Sequence, residues 1–154
     1  MYRWTPIAAL ALAGACSHVA LRSPISTAPT AGPPPTFVQT TSDTRMTRLI
    51  DVGLSKTAAF RAASEYLAQN FSIDVSDSHA GFLMTPWQAS VHNGAPDPHY
   101  RTRLILRFIG DDWKEVSARA EAEWQRGDEW DIGYDTQLLE DAVVELRTRL
   151  GKKT

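Results

Sequence analysis

Alternating apolar and polar residues predict two long strands in the second half of the chain. In residues 100–109, YRTRLILRFI, large apolar side chains alternate mostly with arginines, and in residues 113–125, WKEVSARAEAEWQ, small apolar side chains alternate with charged ones. Such alternation is typical of an antiparallel sheet with one buried face and one face in water. The turn residues Gly110-Asp111-Asp112 between the two segments predict that the strands pair as a hairpin.

Two segments with helical spacing flank these strands. Apolar residues recur three and four positions apart in residues 56–69, where Ser55 is placed to cap the helix, and again in residues 138–150. Either Thr136 or Asp135 caps the second helix. The pattern therefore predicts one helix before the long strands and one after them.

Shorter elements complete the predicted fold. The patterns predict short strands at residues 50–54, 71–75, 81–87 and 130–134, and a long loop at residues 89–98. This order of elements predicts the α+β class. We expect a two-layer sandwich, in which an antiparallel sheet of about five strands carries two helices packed on one face.

The N-terminal residues predict export. Residues 7–15, IAALALAGA, follow Arg3 and have the length of a signal-peptide core, which is too short to cross a bilayer. Ala13-Gly14-Ala15 fits an ordinary cleavage site and, followed by Cys16, resembles the lipobox of bacterial lipoproteins, although that motif favours Leu at the position of Ala13. The resemblance implies a signal peptide over residues 1–15 and a Cys16 that carries acyl chains such as palmitate. Plain secretion, an uncleaved anchor and a cytoplasmic location are the alternatives.

Cys16 is the only cysteine of the chain, which favours the lipoprotein interpretation. A single thiol in an oxidising compartment has no intramolecular partner, and a thioether removes the risk of cross-linking. In this class an acidic residue after the cysteine signals retention in the inner membrane. Because Ser17 is not acidic, we expect the outer membrane, with the protein facing the periplasm. Residues 16–40, rich in proline, predict an extended tether, and residues 41–154 predict a single domain.

Composition and motifs give little support for catalysis, cofactors or nucleic-acid binding. The net charge of −2 supplies no electrostatic attraction to nucleic acid. The domain has no cysteine and no GxSxG motif, so a hydrolase is the least favoured function. His92, Asp97 and His99 lie in the predicted loop, but their spacing matches no pattern of metal ligands, and we expect neither a metal nor a cofactor.

One row of charged residues is the candidate interaction surface. Arginines 101, 103 and 107 share one side of their strand, and Glu121 and Glu123 share one side of the next. If these strands pair, the residues form cross-strand ion pairs on the wet face, which would serve solubility alone. The alternative is a docking face for a partner, because two isoleucines on the same side make the row less polar. The predicted docking face comprises Arg101, Arg103, Ile105, Arg107 and Ile109.

Three further features have both a structural and a functional interpretation. The tryptophans at positions 87, 113, 124 and 130 favour packing, with a ligand groove as the alternative. Arg126-Gly127-Asp128 spells an adhesion tripeptide, but Gly-Asp suits a hairpin turn. The alanines at positions 118, 120 and 122 permit close helix packing or, if the helices stand off, a cavity for an apolar ligand.

An F-x-I-x-x-x-D-x-x-x-G motif follows the first predicted helix, at Phe71, Ile73, Asp77 and Gly81. With the long strands and the closing helix, this pattern is similar to that of small envelope lipoproteins with helix-grip-like domains, the group that includes the lipoprotein C component of the β-barrel assembly machinery. The resemblance implies a non-enzymatic role in envelope assembly or maintenance. We therefore expect a lipid-anchored periplasmic binding or scaffolding domain with a protein partner, as an accessory subunit of an envelope complex. A carrier of an apolar ligand is the alternative.

Overall fold

The computed structural model describes residues 32–92 and 95–151, which hold two long helices and eight strands. The helices are α1 (Lys56–Asn70) and α2 (Thr136–Leu150). The strands are β1 (Phe37–Gln39), β2 (Thr47–Asp51), β3 (Val75–Asp77), β4 (Phe82–Met84), β5 (Gln88–His92), β6 (Ala95–Ile109), β7 (Glu115–Arg126) and β8 (Glu129–Asp135). A short 3₁₀ helix (Asp43–Met46) precedes β2.

The two longest strands form the centre of one antiparallel sheet. β6 and β7 pair from Tyr100 opposite Trp124 to Ile109 opposite Glu115, which confirms the predicted hairpin. β4 and β5 share the other edge of β6, and β2 and β8 share the other edge of β7. β3 pairs with β4, and β1 pairs with β8.

Both helices pack on the same face of this sheet. One cluster of buried residues holds the even-numbered positions of β6 from Leu104 to Phe108 and of β7 from Val116 to Ala120, together with buried residues of α1 and α2. Ala118, Ala120 and Ala122 have no exposed surface, and their small side chains let the helices lie close to the strands. The α+β class, with an antiparallel sheet and two helices, is confirmed, but the predicted count of five strands was wrong.

Several predictions were wrong at the edges of the sheet. Within the segment predicted as a loop at 89–98, residues 89–92 belong to β5 and residues 95–98 to β6, and the two strands pair with a register shift between Ala89 and Ser90. The strand predicted at 71–75 begins only at Val75. The end of the predicted 16–40 tether belongs to the sheet, because β1 pairs with β8. β1 is held by long-range pairing with β8, whereas β3 and β5 each pair with the strand that follows in the chain, and their short local patterns do not specify these pairings.

A buried carboxylate fixes the start of α2. Asp135 is the N-cap, and its Oδ1 accepts a hydrogen bond from the Leu138 backbone N–H at 2.7 Å. Its Oδ2 accepts hydrogen bonds from the Tyr100 hydroxyl at 2.6 Å and the Thr36 hydroxyl at 2.9 Å. Burial, and then the bond to Asp135, raises the pKa of Tyr100 well above its ordinary value of 10.0. The carboxylate thus joins α2, the central strand β6 and the segment that enters β1.

Residues of the F-x-I-x-x-x-D-x-x-x-G motif have structural roles. Asp77 Oδ1 accepts hydrogen bonds from the backbone N–H groups of His79 and Ala80, both at 2.9 Å. The bond from Ala80, and then the bond from His79, lowers the pKa of Asp77. Gly81 has φ +62°, and a Cβ at this position would lie 2.7 Å from the Trp113 ring. Only glycine therefore permits both the turn and the close approach of Trp113.

The predicted signal peptide, Cys16 and the tether up to residue 31 lie outside the described residues. In the part of the chain that is described, no helix combines the length and the apolar content that a membrane crossing requires.

Candidate functional site: the open face of the sheet

Neither of the two long helices covers the second face of the sheet, which we call the open face. It presents the odd-numbered residues of β6 and β7, and β2 and β4 add neighbouring side chains on either side. All five residues of the predicted docking face, from Arg101 to Ile109 in alternate positions, lie on it. The structure therefore brings them together in one row, but it gives them two different environments.

At one end of the open face, which we call the paired end, the arginines form ion pairs. The paired end comprises Trp87, Arg101, Arg103, Arg119, Glu121, Glu123 and Trp130. Arg101 Nε donates a hydrogen bond to Glu123 Oε2 at 2.6 Å, and Arg103 Nε donates to Glu121 Oε2 at 2.7 Å. The predicted cross-strand ion pairs are confirmed for these two arginines.

Glu121 connects two arginines in a small network. While its Oε2 accepts from Arg103, its Oε1 accepts a hydrogen bond from Arg119 Nη2 at 2.7 Å. Arg119 Nη2 also lies 3.2 Å from Asp43 Oδ1. The Glu121 side chain is only 15% exposed, so water and salt screen these contacts less than they screen an isolated surface pair.

Two tryptophans lie against the guanidinium groups of the paired end. Arg101 Cζ is 4.2 Å from the ring centroid of Trp130 and 5.1 Å from that of Trp87. Arg103 Cζ is 4.5 Å from the Trp87 centroid. Cation–π contacts of this kind contribute about 0.5–1 kcal/mol each at partly exposed sites. The arginines of the paired end are therefore occupied by contacts within the domain.

The other end of the open face, which we call the apolar end, has a different character. It comprises Leu49, Asp51, Phe82, Met84, Ile105, Arg107, Ile109, Glu115 and Ser117. Leu49 is 53% exposed and Ile109 is 40% exposed. Arg107 lies opposite Ser117 on β7 and opposite Phe82 on β4, so neither neighbour offers a carboxylate. Among the described residues Arg107 has no ion-pair partner, and the predicted row of ion pairs stops at Arg103.

Two carboxylates face each other at the rim of the apolar end. Asp51 lies opposite Glu115 in the β2–β7 pair, and Ile109 lies opposite Glu115 on the other side. Within the described chain neither carboxylate forms an ion pair or a side-chain hydrogen bond. The apolar end therefore carries an arginine without a carboxylate and two carboxylates without a cation.

The histidine-containing segment at the β5–β6 hairpin forms ordinary hydrogen bonds. Asp97 Oδ1 accepts a hydrogen bond from the His99 backbone N–H at 2.9 Å, and His99 Nδ1 lies 3.0 Å from Gln125 Oε1. Across residues 32–92 and 95–151, no group of three His, Cys, Asp or Glu side chains is placed to hold a metal ion. His99 thus connects β6 to the end of β7.

The tryptophans and the RGD tripeptide have structural roles. Trp113 stacks on Phe108 with ring centroids 4.9 Å apart, in the core and not on the open face where Trp87 and Trp130 lie. These tryptophans therefore do not line a single groove. Gly127, with φ +66°, and Asp128 form the two-residue turn between β7 and β8, as predicted.

Sequence reasoning missed most of the residues that distinguish the apolar end. Leu49 and Asp51 reach the open face because β2 pairs with β7, and Met84 reaches it because β4 pairs with β6. No local pattern specifies these two pairings. One signal was available: in a hairpin that turns at Gly110-Asp111-Asp112, Ser117 occupies the position where Arg107 needs an acidic partner.

No protein-family model matches this chain, and no curated protein matches it.

Proposed function

We propose that this protein is a lipid-anchored periplasmic binding or scaffolding domain, a two-layer α+β sandwich that docks a protein partner through its open face. The observation that carries the proposal is the apolar end, where Ile109 is exposed two residues from Arg107 on β6 and Leu49 is exposed on β2, on the far side of Ser117. Single apolar residues are ordinary on a protein surface, but a contiguous patch on a regular sheet is typical of an interaction site. Arg107 adds a charge that a partner can satisfy.

The N-terminal sequence supports the membrane anchor. Acylation of Cys16 would hold the domain at a bilayer, with the proline-rich segment as a spacer. This segment enters the domain near the paired end, where Thr36 hydrogen-bonds to Asp135 and Asp135 to Tyr100. From Tyr100 to Ile109, β6 extends about 30 Å. The apolar end therefore lies far from the tether, which leaves it accessible to a partner.

Close packing on the helix-covered face weakens the alternative of an apolar-ligand carrier. Ala118 and Ala120 have no exposed surface and belong to the same buried cluster as residues of both helices. A ligand between sheet and helices would need space that these contacts occupy. Leu49 and Ile109, by contrast, are exposed apolar residues on the open face.

Photocrosslinking tests the proposed docking site. We expect a photoreactive amino acid at Ile109, in the full chain expressed in a Gram-negative envelope, to form an adduct with a protein. The same amino acid at Val144 on the outer side of α2, which is 62% exposed, is the matched control and should form none. The absence of an adduct at Ile109, or equal adducts at both sites, would contradict the proposal.

Mass spectrometry of the mature N-terminus tests the anchor separately. We expect the mature chain to begin at Cys16 and to carry the mass of acyl chains on it. A mature protein that begins elsewhere, or that carries a free Cys16 thiol, would contradict the lipid anchor.

A further inference from the structure

We propose that the partner docked on the apolar end is a second copy of this chain, in a two-fold symmetric dimer that sets Arg107 of each copy against Glu115 and Asp51 of the other. The inference rests on the proposed docking function of the open face, and it names the partner.

The apolar end is complementary to itself. A two-fold interface joins the same patch on both subunits, so each patch must supply what the other lacks. The apolar end lacks a carboxylate for Arg107 and a cation for Asp51 and Glu115, and it carries both kinds of group. A purely acidic partner, or an anionic membrane surface, would satisfy Arg107 but repel the two carboxylates.

The two carboxylates of the apolar end also favour a second copy as the partner. Like charges directly opposite each other on a sheet are destabilising, yet Asp51 and Glu115 face each other in register. Lys114 and Arg147 line the same open cleft of about 710 Å³, but neither forms an ion pair with these carboxylates in the described chain. A guanidinium from outside the chain would remove the repulsion.

The spacing of the charges around the apolar residues also fits a two-fold axis. Arg107 lies opposite Ser117. Two residues nearer the turn on each strand, Ile109 lies opposite Glu115. Arg107 and Glu115 are therefore diagonal neighbours, roughly 7–8 Å apart on one face. A two-fold axis that lies in the plane of the interface and bisects this diagonal at a right angle places each Arg107 over a Glu115 of the other copy. The same axis brings the two copies of Ile109 together, so that both are buried. The paired end offers no such arrangement, because its charges are already paired within one copy.

Because the same patch lies on both sides of a two-fold interface, charge-reversed variants should associate in an unusual pattern. Two copies of Arg107→Glu would set glutamate against glutamate, and two copies of Glu115→Arg would set arginine against arginine. One copy of each variant restores both ion pairs in a mixed dimer. Neither variant should self-associate, but the two should associate with each other.

Sedimentation equilibrium of the full chain in density-matched detergent measures this. We expect the unmodified chain to form dimers, each single variant to associate at least about tenfold more weakly, and an equimolar mixture to regain the dimer. Arg61→Glu, at a side chain of α1 that is 75% exposed, is the matched control and should dimerise normally. Circular dichroism confirms that each variant is folded.

Three results would overturn the dimer: an unmodified chain that is monomeric at every concentration, single variants that dimerise normally, or a mixture that stays monomeric. The Ile109 crosslink separates this failure from failure of the proposed function. A crosslink to a different protein would overturn the dimer and leave the docking function in place, whereas no crosslink would remove both.

Discussion

The two ends of the open face differ although they lie on the same two central strands. Arg103 and Arg107 stand four residues apart on β6 and point to the same side. Arg103 lies opposite Glu121 and under Trp87, whereas Arg107 lies opposite Ser117. The identity of one cross-strand neighbour therefore separates an arginine that stabilises the domain from one that remains available to a partner.

The helix-covered side of the sheet reinforces this difference. Tyr100, next to Arg101 on β6, hydrogen-bonds to the buried Asp135, which also caps α2. The paired end is thus tied together on both sides of the sheet, close to where the tether enters. We infer that the paired end contributes mainly to stability and that the apolar end contributes mainly to association.

The largest effect on stability is expected from Glu121→Ala, at concentrations where the chain is monomeric. The substitution leaves Arg103 and Arg119 without their shared acceptor at a site that is mostly buried. We expect the free energy of unfolding in urea to fall by about 2 kcal/mol, less than for a fully buried pair because some water contact remains. Glu115→Ala, the matched change at the apolar end, should cost less than about 0.5 kcal/mol. Equal losses of unfolding free energy in Glu121→Ala and Glu115→Ala would contradict the proposed difference in stability between the two ends.

Tyr100→Phe should have the next largest effect. It removes a hydrogen bond to a buried carboxylate, which should lower the free energy of unfolding by about 1–2 kcal/mol at neutral pH. Because the pKa of Tyr100 is raised in the folded chain above its ordinary 10.0, its stabilising contribution is complete below about pH 10 and is lost as the pH rises towards the raised pKa. Urea unfolding measures the free energy of unfolding of the unsubstituted chain and of Tyr100→Phe. The difference between the two should be smaller at about pH 11 than at about pH 8. A gap that stays constant would argue against the Tyr100–Asp135 bond.

Trp130→Ala should lower the free energy of unfolding by about 1 kcal/mol, because it removes the ring that lies 4.2 Å from Arg101. Trp130→Phe keeps an aromatic face and should recover part of the loss. Thermal melts of the unsubstituted chain, Trp130→Ala and Trp130→Phe measure the order of their stabilities. If Trp130→Ala is as stable as the unsubstituted chain, the stacking at the paired end does not stabilise the fold.

The smallest effect on stability is expected from Ile109→Ser. The side chain is 40% exposed, so the free energy of unfolding of the monomer should change by less than about 0.5 kcal/mol. Association should weaken clearly in the same variant. A large loss of stability would place Ile109 in the core, and unchanged association would remove it from the interface.

Much of the fold could be predicted because its central elements have strong local periodicity. The β6–β7 hairpin and α1 and α2 follow from alternation, helical spacing and capping residues such as Asp135. The short strands β1 and β5 were not predicted, because segments of three to five residues with prolines nearby have the local pattern of a loop. They are strands only because β8 and β6 offer edges for them to pair with.

The candidate site was predictable in part for the same reason. The five residues from Arg101 to Ile109 share a face because strand periodicity is two, and the glutamates opposite Arg101 and Arg103 follow from the hairpin register. The neighbours from β2 and β4, above all Asp51 and Leu49, are set by pairings between distant segments. The unequal environments of Arg103 and Arg107 therefore become visible only in three dimensions.

The most direct test of the account is the free energy of unfolding of Arg103→Ala against that of Arg107→Ala, measured by urea denaturation of the monomeric chain. The two changes delete the same side chain on the same face of the same strand. We expect Arg103→Ala to cost about 1–2 kcal/mol and Arg107→Ala less than about 0.5 kcal/mol. Equal costs, or a larger cost at Arg107, would contradict the division of the open face into a stabilising end and a binding end.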